Sequence, residues 1–232
     1  MIRPAVHAAM GRIQTGAPQS EDLGLLLCLV DPDEVALLHA TACLVRTAYC
    51  QGRIALRALV EISSVCRNSC LYCGLNRYNR HASRYMMDED EILHCVGEAV
   101  GQGYRTVVLQ SGEDGRSAES IAHMIAQIKR KYPIAITLSL GERSYEDYQL
   151  WKRAGADRYL LRVESTDAEL YRTLHTDRTL SSRLECLGNL RTLGYQVGSG
   201  IMVGVPGQTV STIAGDIQFF CSNQFDMIGI GP

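Results

Sequence analysis

Up to about residue 50 the chain reads as helices. Asp31-Pro32-Asp33-Glu34 supplies an N-cap, a proline at the first helical position and an acid at the third, which is a capping-box order. The helix it opens is expected to run to about Cys50 and to end at Gly52. Beyond that point the pattern changes to short runs rich in Val, Ile and Leu, alternating with amphipathic stretches. Strands are expected at 55–63, 106–110, 135–140, 158–163, 196–203 and 227–230. The helices between them have readable starts: Asp88 with Glu91, Ser117, Ser144 with Asp147, Ser181 and Thr209 all stand as N-caps.

Apolar strands that are each followed by a crossover helix imply a parallel sheet. Both a doubly wound sheet and a β/α barrel meet that pattern. The first strand is not followed by a GxGxxG turn, which favours the barrel. After the sixth strand only Gly231-Pro232 remains, so about six of eight β/α units are expected, as in a C-terminally shortened version of a longer protein. The expected division is an N-terminal helical extension over 1–52 and a β/α core over 53–232.

Composition narrows the class. The chain has 232 residues, 46% hydrophobic and 21% charged, which suits a globular domain with a sizeable core. Lys and Arg number 23 against 25 Asp and Glu, a net charge of −2 that gives no support for a nucleic-acid or anionic-membrane partner. The N-terminus lacks the apolar run of a signal peptide, and the apolar stretch 25–30 is too short to cross a bilayer. A cytoplasmic location is therefore expected. Among nine cysteines, Cys28, Cys43, Cys50, Cys95, Cys186 and Cys221 stand singly in apolar or helical surroundings and are expected to be small buried hydrophobes.

Cys66, Cys70 and Cys73 differ because they cluster, in a C-x3-C-x2-C segment directly after the first strand. Soft thiolates at that spacing can face one soft metal centre. Three such ligands leave one iron of a 4Fe–4S cluster open to a substrate. Zinc is the alternative, but it asks for a fourth Cys or His. The nearest histidine, His81, lies in the basic stretch 76–84 with no second CxxC.

This spacing, with Tyr72 before the last cysteine, resembles the signature of the radical S-adenosylmethionine (SAM) superfamily. The segments EISSVCRNSCLYCGLNRYN, VVLQSGED, ITLSLGER, YLLRVES, RTLGYQVGSGIMVGVPGQT and FDMIGIGP further resemble the HydE family of FeFe-hydrogenase maturases. The resemblance spans essentially residues 50–232. It implies a TIM-type (β/α) barrel around a 4Fe–4S cluster and SAM, which is cleaved reductively to methionine and a 5′-deoxyadenosyl radical. It also implies a small iron-complex substrate and a role in assembling the hydrogenase di-iron subcluster. Expected partners are a radical SAM tyrosine lyase, a GTPase scaffold and an electron donor such as ferredoxin or flavodoxin. A radical SAM mutase such as 3-methylornithine synthase, a biotin synthase-like enzyme, and a non-enzymatic metal-binding module are the competing readings.

The same resemblance assigns candidate roles. Tyr72 would pack near the adenine, and Ser111-Gly112-Glu113 sits where the superfamily's turn receives the SAM amino group. Period-two alternation puts Arg162 and Glu164 on one face, either as a structural pair or as groups for an anionic substrate and for SAM. Arg183 would hold the SAM carboxylate. Gln110, Ser111, Thr137, Ser139 and Arg162 map onto polar cavity positions. Met202, on the Gly-rich fifth strand, faces either that cavity or the core.

Overall fold

The computed structural model describes residues 1–16 and 18–232. The first half runs α1 (Pro4–Gln14), α2 (Ser20–Leu27), α3 (Pro32–Cys50), β1 (Ala58–Ser63), α4 (Glu89–Gly101), β2 (Thr106–Ser111) and α5 (Ala118–Lys131). It continues with β3 (Ala135–Ser139), α6 (Tyr145–Ala154), β4 (Arg158–Leu160), α7 (Ala168–Leu174), α8 (Leu180–Thr192), β5 (Gln196–Met202), α9 (Val210–Asn223) and β6 (Met227–Gly231). These fall into two units, Met1–Ala55 with Pro206–Gln224, and Leu56–Val205 with Phe225–Pro232. Among the described residues no helix is long and apolar enough to cross a membrane.

In the first unit, α3 starts where expected, with Asp31 accepting from the N–H groups of Asp33 and Glu34 at 2.9 and 3.3 Å. The capping box is not closed. Glu34 turns instead to Arg3, which donates through its backbone N–H at 2.9 Å and its guanidinium at 2.6 Å. Those bonds hold the Glu34 carboxyl well below the usual range. Val6, Ala9, Met10 and Leu26 form a small core under Leu37 and Leu38 of α3.

The isolated cysteines do not behave as a group. Only Cys186 is buried; Cys95 is half-buried, and Cys28, Cys43, Cys50 and Cys221 are exposed. Cys43 and Cys50 ride on α3, whose single buried residue is Glu34. Apolar neighbours in sequence did not bring packing neighbours in space.

The second unit is built on one sheet of six parallel strands in the order β1-β2-β3-β4-β5-β6. That order separates the two candidate architectures. A doubly wound sheet reverses direction at a switch point, whereas a barrel adds each strand beside the last. The sheet therefore has the TIM-type order. Boundaries shift by physical cause: β1 begins at Ala58, because its pairing with β2 starts at Ala58 opposite Val107. β4 stops at Leu160, and only a lone bridge joins Glu164 to Ile201 farther on.

The caps work largely as read. Asp88 and Glu91 close a reciprocal box at 2.8 and 2.9 Å, and Ser117, Ser144 and Thr209 each accept from the third residue of their helix. Ser181 is not a cap. Thr179 takes that place, accepting from Ser182 N–H at 3.1 Å, so α8 begins earlier than expected. The glycines of β5 answer to neighbouring strands: a Cβ on Gly198 would press on Leu160 and Met227, and one on Gly200 would overlap the Gly229 carbonyl.

Candidate active site

After β1 the chain leaves regular structure and runs through the cysteine loop. Backbone bonds hold that loop in place. Arg67 N–H donates to Glu113 O at 3.1 Å, Leu71 N–H to Leu174 O at 3.0 Å, and Arg77 N–H to Asn68 O at 2.8 Å. Arg84 spans the loop's far side, donating to the carbonyls of Ser64 at 2.6 Å and Leu75 at 2.9 Å. Cys66, Cys70 and Cys73 then line one cavity of about 540 Å³ together with Tyr72.

The other walls come from the C-terminal ends of successive strands. Gln110 and Ser111 end β2 with Gly112 and Glu113 just beyond, Ser139 ends β3 with Gly141 just beyond, and Leu161, Arg162 and Glu164 follow β4, with Arg183 entering from α8. Thus every named candidate lines the cavity except two. Met202 is half-buried at the end of β5 and is not in the lining, and Thr137 is buried two residues before Ser139 with its hydroxyl unpaired.

Gly112 has a steric reason to be glycine, since a Cβ there would overlap Val65 O and the Cβ of Cys66. The turn after β2 thereby lies directly on the cysteine loop. Gly141, at φ +76°, similarly leaves room for the Glu113 side chain.

Two buried carboxylates organise the floor. Glu113 is bonded by Arg178 and by the Glu142 N–H at 2.9 Å, with Arg67 at 3.5 Å. Glu142 takes Arg183 Nε at 2.6 Å and Arg178 at 3.3 Å. Arg178 also donates to Asn68 Oδ1 at 3.1 Å, inside the cysteine loop. The carboxylate of Glu113 is therefore engaged by protein cations, and Arg183 is shared with Glu142 and with the carbonyl of Arg162 at 2.6 Å. Sequence reading did not single out Glu142, Arg178 or His175 as site residues. A signal for the first was present: Gly-Glu follows β2 as Gly112-Glu113 and follows β3 as Gly141-Glu142.

Glu164 and Arg162 do share a side, with Arg162 Nε 3.3 Å from Glu164 Oε2, though the contact lacks hydrogen-bond geometry. Glu164 sits at φ +64°, in the left-handed region that a side chain rarely adopts, and is almost fully buried. Burial pushes its carboxyl upward, partly opposed by Arg162 and Arg183. Strain and an under-bonded carboxylate at a cavity wall are the marks of a side chain kept for a ligand.

The donor set suits an iron–sulfur cluster. Three thiols converge from one loop on one cavity, and Leu75 N–H donates to Cys73 Sγ at 3.4 Å, as backbone amides do for cluster thiolates. Burial pushes the Cys70 thiol up to about 11, a proton that metal ligation would displace. Among the described residues no three His, Cys, Asp or Glu side chains surround a single ion. In a cluster each thiolate takes a different iron, so its ligands stand farther apart than those of one ion.

Comparison with known proteins bears on the family and the fold. Residues 60–220 match the Radical SAM superfamily. The chain is 46% identical over 188 residues to the FeFe-hydrogenase maturase subunit HydE of Thermotoga maritima, covering 81% of this chain and 54% of that protein. It is 27% identical to 3-methylornithine synthase of Methanosarcina acetivorans, over 90% of this chain and 60% of that one. It thus spans little more than half the length of these relatives. Among solved structures, methylornithine synthase superposes with a TM-score of 0.88 at 25% identity, over 96% of this chain and 66% of that one. HydG from Carboxydothermus hydrogenoformans superposes at 0.83 with 20% identity, over 97% of this chain and 56% of that one, a likeness of fold.

Proposed function

The chain belongs to the radical SAM superfamily, and from that premise we propose that it binds a 4Fe–4S cluster on Cys66, Cys70 and Cys73 and cleaves SAM reductively. The observation that carries this reading is the meeting of the three cysteines with Tyr72, the Ser111-Gly112-Glu113 turn, Glu164 and Arg183 around one cavity. A cluster held by Cys66, Cys70 and Cys73 would supply the electron for reductive cleavage of SAM to methionine and a 5′-deoxyadenosyl radical.

The chain's own residues bind and orient. Gly112 allows the turn's backbone to approach the cluster edge, where its carbonyls can accept from an ammonium. Glu164, under-bonded and aimed at the cavity, accepts from the SAM ribose or amino group. Arg183, held by Glu142, offers its remaining N–H groups to a carboxylate. Arg162, Ser111 and Ser139 leave a polar, partly cationic patch for a small anionic substrate. The similarity to HydE supports a place in assembling the di-iron subcluster of FeFe-hydrogenase, with an iron complex as substrate. In that setting a radical SAM tyrosine lyase, a GTPase scaffold and a ferredoxin or flavodoxin would be its partners. The close superposition on methylornithine synthase supports a second reading, an amino-acid mutase. Turnover of a lysine-like substrate would separate that from the first.

The test is anaerobic reconstitution with iron and sulfide, then dithionite reduction with SAM and chromatography for 5′-deoxyadenosine. Cluster-dependent 5′-deoxyadenosine that disappears in Cys70→Ala is the expected result. Zinc uptake in place of iron, or SAM left intact beside a fully reduced cluster, would overturn the proposal.

A further inference from the structure

The segment Leu174–Arg178 lies along Asn68–Tyr72 and bonds to it step by step. Leu174 O accepts from Leu71 N–H at 3.0 Å, Thr176 Oγ1 meets Ser69 Oγ at 2.6 Å, and Asp177 accepts from Ser69 N–H at 3.2 Å. His175 stands in the middle of this run, essentially without solvent contact. Its ring stacks on Tyr171 at 4.1 Å between centroids and meets Tyr72 edge-on at 5.3 Å.

The two ring nitrogens have different partners. Nδ1 lies 3.3 Å from the carbonyl of Tyr171, which can only accept, so Nδ1 carries the proton. Nε2 is then a lone-pair acceptor, and the Tyr72 hydroxyl at 3.0 Å must donate to it. Burial and the nearby Arg183 charge lower the His175 imidazole to about 4, which keeps it neutral and preserves this direction. Tyr72 itself is about one-third exposed, at the cavity wall between Cys70 and Cys73. Without His175 its phenol would keep only the Cys70 thiol as a side-chain partner and would gain freedom about χ1 and χ2.

We propose that His175 is a positioning residue for SAM, acting through Tyr72: as an Nδ1-protonated acceptor it fixes the aromatic wall of the cavity. This rests on the reading of the cavity as a SAM site. His175 touches no reacting atom in this arrangement. Its part is to remove the freedom of one ring in advance, so that ligand binding does not bear the ordering of that side chain.

Two measurements test it separately. In ¹⁵N-histidine-labelled protein as purified, His175 (assigned by its loss in His175→Gln) should show a neutral ring protonated at Nδ1. Its Nε2 resonance should move towards that of a free acceptor in Tyr72→Phe. A proton on Nε2, or an Nε2 shift indifferent to Tyr72→Phe, overturns the inference whatever the cofactor does. In reconstituted protein, the SAM dissociation constant is read from the change SAM makes in the reduced cluster's electron paramagnetic resonance spectrum. Tyr72→Phe and His175→Met should each weaken SAM by about tenfold, the worth of one buried hydrogen bond. The double variant should be no weaker than either single one. His175→Gln, which keeps an acceptor near the Nε2 position, should recover most of the loss. If His175→Met does not fold, Tyr72→Phe and His175→Gln carry the comparison. Wild-type affinity in all of them overturns the inference. A wild type that forms its cluster yet binds no SAM overturns the proposed function and this positioning role, while the tautomer result still reports on the hydrogen bond itself.

Discussion

Glu164 shows what a single side chain gives up for its place. A buried carboxylate at positive φ, with an oxygen lacking a hydrogen bond, stabilises nothing around it. Its folded pKa is raised by burial. A carboxyl that holds its proton more tightly when folded favours the fold at pH below its unfolded pKa, and that benefit is lost as pH rises through the folded value. Glu164→Gln should therefore raise stability at pH 8 by about 1 kcal/mol, with the gain vanishing near pH 4. Thermal melts of the two proteins at both pH values check this; a variant less stable at pH 8 would refute it. His175 runs the other way. Burial lowers its imidazole from the ordinary 6.5 to about 4, so the unfolded chain takes up a proton first and stability falls as pH drops between them. In His175→Gln, denaturant titrations across that window should show a flatter decline than in wild type. The proposed roles of Cys66, Cys70 and Cys73 could be read from the sequence because spacing is itself chemistry. Those of His175 and Arg178 were not, because their partners lie 103 and 110 positions away in sequence.

At the scale of elements, the site is assembled by turns that follow strands. The caps that place those strands were visible in sequence because a cap is a local bond between a side chain and an amide three residues on. Ser181 misled because Thr179, two residues earlier, offered the same chemistry and the chain used it. The bond network joining the turns was hidden. One guanidinium, Arg178, reaches Asn68 in the cysteine loop, Glu113 after β2 and Glu142 after β3. Removing it leaves two buried carboxylates short of positive charge, although Arg67 and Arg183 remain. Arg178→Met should destabilise the protein by about 3 kcal/mol, and adding Glu113→Gln should return part of that loss. Equilibrium denaturation of the single and double variants decides it: an additive double variant would mean the two groups do not act together. Gly112→Ala acts on the same assembly by volume, pushing the turn off Val65 and Cys66. Reduced iron content after reconstitution, together with a lower melting temperature, is the expected outcome.

For the molecule as a whole, strand order carried the architecture. Six Val- and Ile-rich runs told of a parallel sheet, but only the sequential β1-to-β6 order distinguishes a barrel walk from a doubly wound sheet. That order also leaves two edges among the described residues: β6 pairs with β5 alone, and β1, beside β2, takes only one antiparallel bridge, from Ser63 to Met86. Outside that bridge the edges are not blunted. Leu59 of β1 is 55% exposed, and Ile228 and Ile230 of β6 are 49% and 55% exposed. Unpaired backbone groups beside exposed apolar side chains form a template for pairing with a second copy. The 232-residue polypeptide should self-associate as its concentration rises. A lysine on the edge opposes this twice, by placing charge where another strand would dock and by removing apolar area that association would bury. Ile230→Lys should shift the onset of association to about fivefold higher concentration without lowering the melting temperature of the dilute protein. Sedimentation velocity over a concentration series reads this directly. Equal association in wild type and variant would place the contact elsewhere than β6. A variant that melts early would instead mean that Ile230, though exposed, holds the last strand to the sheet.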